Sequence, residues 1–285
     1  MLTTNTTWSG DVTLNGKVVI DASATLTIQP GTVIKAVFKS DPVDASALIV
    51  AKGGKIIANG TAALPIIFTS EYDALTSANV ASGTYVAANH NLDLGGLWGG
   101  VIILGNNVIG AGATNTANIE GIAAGQTWTN YGGSATNDNS GSLKYVSIRH
   151  GGATIANGDE INGLTLGGVG NGTVIENIEI ISNADDGIEI FGGNVNVNNI
   201  LVYNSTDDAI DLDQAYSGTI TNAFVIMGEI GDNVFEIDGT ESTSNPVVTG
   251  SYTINGVTAI GNANAAQSDT YGHWKAAATG ANNSS

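Results

Sequence analysis

Apolar and polar residues trade places at every second position through long parts of this chain. Ile178 and Ile180 flank Glu179, and Ile188 and Ile190 flank Glu189. The same spacing gives the pairs Ile200/Val202, Ile210/Leu212 and Phe235/Ile237. A two-residue period carried by β-branched side chains predicts half-buried strands. The strands also recur. Residues 173–191, 197–213 and 220–238 read as three near-copies of one unit. Asn177, Asn199 and Asn222 fall at one position of that unit, and Asp185, Asp207 and Asp232 at another, with steps of 22 to 25 residues. Units of this length that cannot bury their own apolar face stack into a solenoid. The prediction is all-β: a single-domain right-handed parallel β-helix in which like residues form columns one rung, about 4.8 Å, apart. The asparagine column supplies the turn, because Asn tolerates left-handed backbone and stacked amides bond along the column.

The N-terminal half carries the same signals in looser form. Val18–Ile20, the run Thr25–Lys35 broken by a Pro30-Gly31 turn, the run Ala47–Gly60 broken by a glycine turn, and Pro65–Ser70 read as strands. The domain is divided into an N-terminal cap region (1–24), coils (25–260) and a small, polar C-terminal tail (261–285). Residues 71–95 and 107–141 interrupt the rhythm as two long lateral loops, with few apolar residues to hold them. His273 and Trp274 are expected to cap the last coil.

At 285 residues the chain can bury a sizeable core, and its 39 glycines suit many short strands and tight turns. It has no cysteine, so disulfides and thiol chemistry are excluded. No stretch reaches the roughly 18 apolar residues of a membrane span. Charge changes the picture most. Residues 150–274 hold 17 Asp or Glu and no Lys or Arg, so nearly all of the net charge of −18 lies there. Such a surface repels nucleic acid and anionic membranes, and disfavours a polyanionic substrate unless metal ions bridge.

Thr25–Lys35, Leu48–Thr61 and Pro65–Ser70 resemble the opening rungs of secreted right-handed β-helix proteins of Bacteroidetes and related marine bacteria, with the pectin-lyase-like architecture. Leu97–Asn106, Ser140–Gly152 and Glu160–Gly170 resemble their later landmarks. The resemblance implies export to the medium or the outer cell surface. It implies no particular activity.

The repeat brings acids together. Glu189, Asp211 and Glu236 are expected to point outward at equivalent strand positions, with the Asp pairs at the turns before them. Stacked carboxylates repel unless protonated or neutralised by a cation, and hard oxygen donors in turns suit Ca²⁺. Asp185, Asp186, Asp207, Asp208, Asp211 and Asp213 are the candidate ligands. A solvated acidic face is the plainer alternative. Trp128 and Tyr131, in a polar loop, are candidates for stacking on sugar rings. Trp98 reads as a corner residue of the core. The strings around Asp186 and Asp207-Asp208 also resemble motifs of polygalacturonase-type inverting glycosidases, which place paired acids on adjacent coils. Arg149-His150-Gly151 is loosely similar to a further motif there, but the basic motif of that family is missing. A Ca²⁺-dependent polysaccharide lyase would need a nearby base, and Arg149 is the candidate. The leading reading is a binding module for a polysaccharide or a surface protein. A polysaccharide-degrading enzyme is the alternative, and an adhesin or filament subunit, self-associating through open solenoid ends, is the third possibility.

Overall fold

The computed structural model describes residues 1–122, 125–156, 159–244, 246–261 and 274–276; His273 and most of the C-terminal tail lie outside the described residues. The chain winds into a parallel β-helix of triangular cross-section. One long sheet forms the first face, from Lys17–Ile20 through Ala47–Val50, Gly100–Leu104, Leu164–Gly167, Ile188–Phe191 and Ile210–Asp213 to Phe235–Ile237 and Trp274–Ala276, all paired in parallel. An 11-stranded sheet supplies the other two faces. In the early coils these are separate strands: Gly141–Arg149 pairs with Lys55–Asn59 through its first half and with Ile66–Ser70 through its second. In the later coils one eight-residue strand turns the corner between them, as in Val174–Ile181, Asn196–Tyr203, Thr219–Ile226 and Thr253–Ile260.

The asparagine column makes that corner. Tyr145, Asn177, Asn199, Asn222 and Gly256 hold equivalent positions, with φ of 49°, 57°, 55°, 60° and 77°. Asn199 Nδ2 donates to Asn177 Oδ1 at 3.1 Å, and Asn222 Nδ2 to Asn199 Oδ1 at 2.7 Å. A second left-handed column ends the strands at His150, Ser182 and Asn204. Inward positions stack into one core: Leu48, Val101, Leu164, Ile188, Ile210 and Phe235 from the first face, with Ile148, Ile180, Val202 and Val225 opposite. Trp98 is buried at a corner, stacked on Phe68, and its indole N–H donates to the Arg149 carbonyl at 2.7 Å.

The two lateral insertions are packed, contrary to the expectation of loosely held loops. The first carries Leu75 and Val80 onto the outward side of Val33 and Ile67. The second lays Ile109, Ile119, Ile122 and Tyr131 against Val19, Ile49, Ile102 and Phe191, on the outward side of the first face. No helix among the described residues is long and apolar enough to cross a membrane.

Candidate functional site: a covered acidic wall and an asparagine corner

The outward column of the first face changes character along the helix. It runs Val19, Ile49, Ile102, Thr165, Glu189, Asp211, Glu236 in backbone register. The second insertion covers both its apolar and its acidic part. Tyr131 packs over Gly167, where an added Cβ would lie 2.9 Å from the ring, and its hydroxyl donates to Gln214 Oε1 at 3.0 Å. Glu189 is only 6% exposed and Asp186 7%. The acids therefore point outward as expected, but Asp186, Glu189 and Asp208 are buried and Asp185, Asp211, Asp213 and Glu236 half-buried, while Asp207 stays exposed at the edge of this partly covered wall.

Three groups of carboxylates bring their oxygens within 4.8 Å of one another: Asp185/Asp186/Asp207, Asp186/Glu189/Asp211 and Asp207/Asp208/Asp232. Part of this wall is structural. The Asp208 backbone N–H donates to Asp186 Oδ1 at 2.9 Å, and Asn233 N–H to Asp208 Oδ1 at 2.6 Å, so each side chain ties its turn to the next coil. Burial, then repulsion from Asp211 and its neighbours, raises the Asp186 carboxyl well above the carboxylate range; Glu189 and Asp211 are raised likewise, by burial first and by Asp186 and Asp213 next. Burial and the Glu160 charge push Asp185 up to about 8, burial and the hydrogen bond with Glu236 push Asp208 to about 8, and burial pushes Asp213 to about 7. Two buried oxygens beside the wall, Asp211 Oδ1 and Asn162 Oδ1, have no hydrogen-bond partner. The Asn162 amide touches Glu189 through its nitrogen. Clustered hard oxygens with unused lone pairs fit Ca²⁺, which takes six to eight such ligands.

The remaining candidate residues lie elsewhere. Tyr131 is 1% exposed and fully engaged, so it has no face for a sugar, and Trp128 is half-buried against the same covering cluster. Arg149 is not a surface cation. It is 3% exposed, and its guanidinium donates to the Tyr85 carbonyl, Ser147 Oγ and Glu179 Oε2, at 2.7, 2.8 and 3.3 Å. It is thus spent under the first insertion and does not stand over the acid groups as a base. His150 occupies a turn, as its φ of 61° requires, and meets His90, from the first insertion, at a ring separation of 4.9 Å. Burial lowers the pKa of both imidazoles. Three contributors lie outside the acidic repeat of the sequence: Glu120 and Glu160, which add their charges to the wall, and Asn162.

The asparagine corner forms a second feature. Two shallow depressions adjoin along it at Asn177 and Glu179 and make up a corner groove, one lined by Tyr85, Val86 and Tyr145 and the other by Asn199, Leu201, Asn222 and Phe224. Tyr145 and Phe224 are each 39% exposed. Glu179, Leu201 and Phe224 share one outward column.

A family model described as a pectate-lyase like beta helix domain matches residues 1–280. The chain belongs to that family. Neither the curated proteins nor the solved structures gave a match. The family agrees with the coil register described above, and its pectin-lyase-like architecture is the one the opening rungs resemble.

Proposed function

We propose that this β-helix is an extracellular or cell-surface module that binds a neutral polysaccharide along the asparagine corner, with Ca²⁺ on the acidic wall as a structural ion. The observation that carries the reading is the corner groove. It pairs two half-exposed aromatic rings, Tyr145 and Phe224, with a ladder of side-chain amides three rungs long. Sugar rings offer an apolar face for the rings and hydroxyls for the amides, and the repeat of the wall, about 4.8 Å per coil, offers equivalent subsites in a row. A net charge of −18 argues for a neutral over an anionic polymer. Export is supported by the resemblance of the opening rungs, and a surface protein docking on the same groove is the competing ligand. The glycosidase reading is weaker, because Asp186 and Asp208 are buried and each accepts a backbone amide from the next coil. The test is affinity electrophoresis in gels cast with neutral and anionic polysaccharides. Retardation by a neutral polymer that Tyr145→Ala and Phe224→Ala each reduce supports the proposal. Equal mobility in every gel, or retardation untouched by both variants, refutes it.

A further inference from the structure

The first insertion and the turn after Gly141–Arg149 bring together three side chains far apart in sequence: Asp73, His90 and His150. Each offers one ligand atom, and the three atoms lie within 4.8 Å of one another. His150 is 4% exposed and Asp73 5%. His150 Nδ1 lies 2.6 Å from the Leu94 carbonyl oxygen. A carbonyl only accepts, so Nδ1 carries a proton there, and Nε2 of the neutral ring keeps its lone pair. That lone pair faces His90 Nδ1 at 3.3 Å. Two nitrogens bound to one tetrahedral zinc, each at about 2.0–2.1 Å, would stand roughly 3.4 Å apart. The observed spacing, which is also that of an N–H···N hydrogen bond between the two rings, already suits two ligands on one ion.

We propose that Asp73, His90 and His150 form a site for a divalent transition metal, with zinc as the best fit, clamping the first insertion to the corner of the helix. Two imidazoles and one carboxylate suit zinc more than Ca²⁺, which prefers oxygen alone. The supporting shell is already built. The Leu94 carbonyl fixes the His150 tautomer. Thr69 Oγ1 donates to Asp73 Oδ2 at 2.9 Å and Leu75 N–H to Asp73 Oδ1 at 2.9 Å, which orients the carboxylate and leaves a lone pair on each oxygen. The nearby positive charge of Arg149 is offset by its ion pair with Glu179 at 3.3 Å. Three protein ligands leave a fourth position for water. The site shares no residue with the acidic wall or with the groove residues proposed to bind sugar, so it stands or falls apart from both.

The test uses the full, untagged chain stripped with a chelator. Zn²⁺ is titrated against a chromophoric competitor, and Co²⁺ is added as a spectroscopic probe. One tightly bound equivalent is expected, with the visible absorption of four-coordinate Co²⁺. His90→Gln and His150→Gln should each weaken Zn²⁺ binding at least tenfold, while His273→Gln should leave it unchanged. His90 is half-buried on the insertion, so His90→Gln keeps the test decisive even if the buried His150 variant fails to fold, as far-UV circular dichroism would reveal. A folded wild-type chain that binds no Zn²⁺, or one whose Zn²⁺ binding survives His90→Gln, overturns the proposal.

Discussion

Asn199 sits in the middle of the corner column and offers the cleanest separation of backbone from side-chain energetics in this fold. Its φ is 55°, it donates to Asn177 Oδ1 at 3.1 Å, and it accepts from Asn222 Nδ2 at 2.7 Å. Replacing it with alanine removes both hydrogen bonds. They are solvent-exposed, so together they contribute about 1 kcal/mol, the low end of the usual range. Alanine also pays to hold a left-handed backbone, about 1–2 kcal/mol. Asn199→Ala should therefore cost about 2–3 kcal/mol. Glycine loses the same hydrogen bonds but is at ease at positive φ, its penalty being the roughly 0.5–1 kcal/mol of extra unfolded-state entropy. Gly256 already holds the equivalent position in the last long coil, with a φ of 77°. The expected order of stability is wild type, then Asn199→Gly, then Asn199→Ala, with the last two separated by about 1 kcal/mol. Thermal melting reads this as a further fall of a few degrees, at about 2–4 °C per kcal/mol for large domains. If glycine destabilises as much as alanine or more, the backbone argument for the column is refuted and the amide ladder alone explains its asparagines.

Further outcomes follow from the covered wall. Tyr131→Phe removes the hydrogen bond to Gln214 and should cost about 1 kcal/mol, whereas Gly167→Ala places a methyl 2.9 Å from the Tyr131 ring and should cost about 1–3 kcal/mol, both read as urea midpoints. In chelator, stability should fall as pH rises. Asp185 and Asp208 titrate near 8 and Asp213 near 7 in the folded chain, against an ordinary 3.8, so between pH 4 and pH 8 the folded state holds protons that the unfolded state has lost. This stability is fully present below about pH 4 and is lost through pH 7–8, at about 1.4 kcal/mol per pH unit for each retained proton; a midpoint that climbs from pH 5 to pH 8 would contradict it. At pH 7.5, Ca²⁺ at a hundredfold excess over its dissociation constant should add about 2.7 kcal/mol, and a gain no larger than that from NaCl of equal ionic strength removes Ca²⁺ from the wall.

The fold was legible because its two periods are independent and agree. Alternation set the strands, and the 22- and 23-residue recurrence of Asn177, Asn199 and Asn222 set their register. The covering of the wall was less legible, although a signal existed. Val18-Val19-Ile20, Ala47–Val50 and Val101–Leu104 are unbroken apolar runs, not alternating ones, and such runs belong to strands buried on both sides. They mark the part of the first face that the second insertion packs upon, where Val19, Ile49 and Ile102 lie. Tyr131 was misjudged for the same reason: a polar neighbourhood in sequence says nothing of what the loop lies on. Arg149, the candidate base, lies on a side of its strand that the first insertion roofs. The Asp73, His90 and His150 cluster had no local signature at all, because its members lie 17 and 60 residues apart and are joined only by how the insertion folds back.

The roof over the acids also fixes what can relieve them. On an open face, water would screen carboxylates one rung apart, and each pair would cost somewhat under 1 kcal/mol. Where burial lowers the dielectric, at Glu189 and Asp186, such pairs cost more, and the parallel register of Glu189, Asp211 and Glu236 prevents them from moving apart. No lysine or arginine occurs between residues 150 and 274 to neutralise them. The wall can therefore be discharged by protons or by cations, and these compete for the same oxygens. Protons suffice near pH 5. As pH rises through 7–8 they leave Asp213, Asp185 and Asp208, and a divalent ion is what remains to hold coil to coil. The stabilisation by Ca²⁺ must then grow with pH in step with the stability that the ion-free chain loses. The two curves should sum to a nearly level line if ions and protons occupy one site. Two unrelated slopes would mean that Ca²⁺ binds somewhere other than the covered wall.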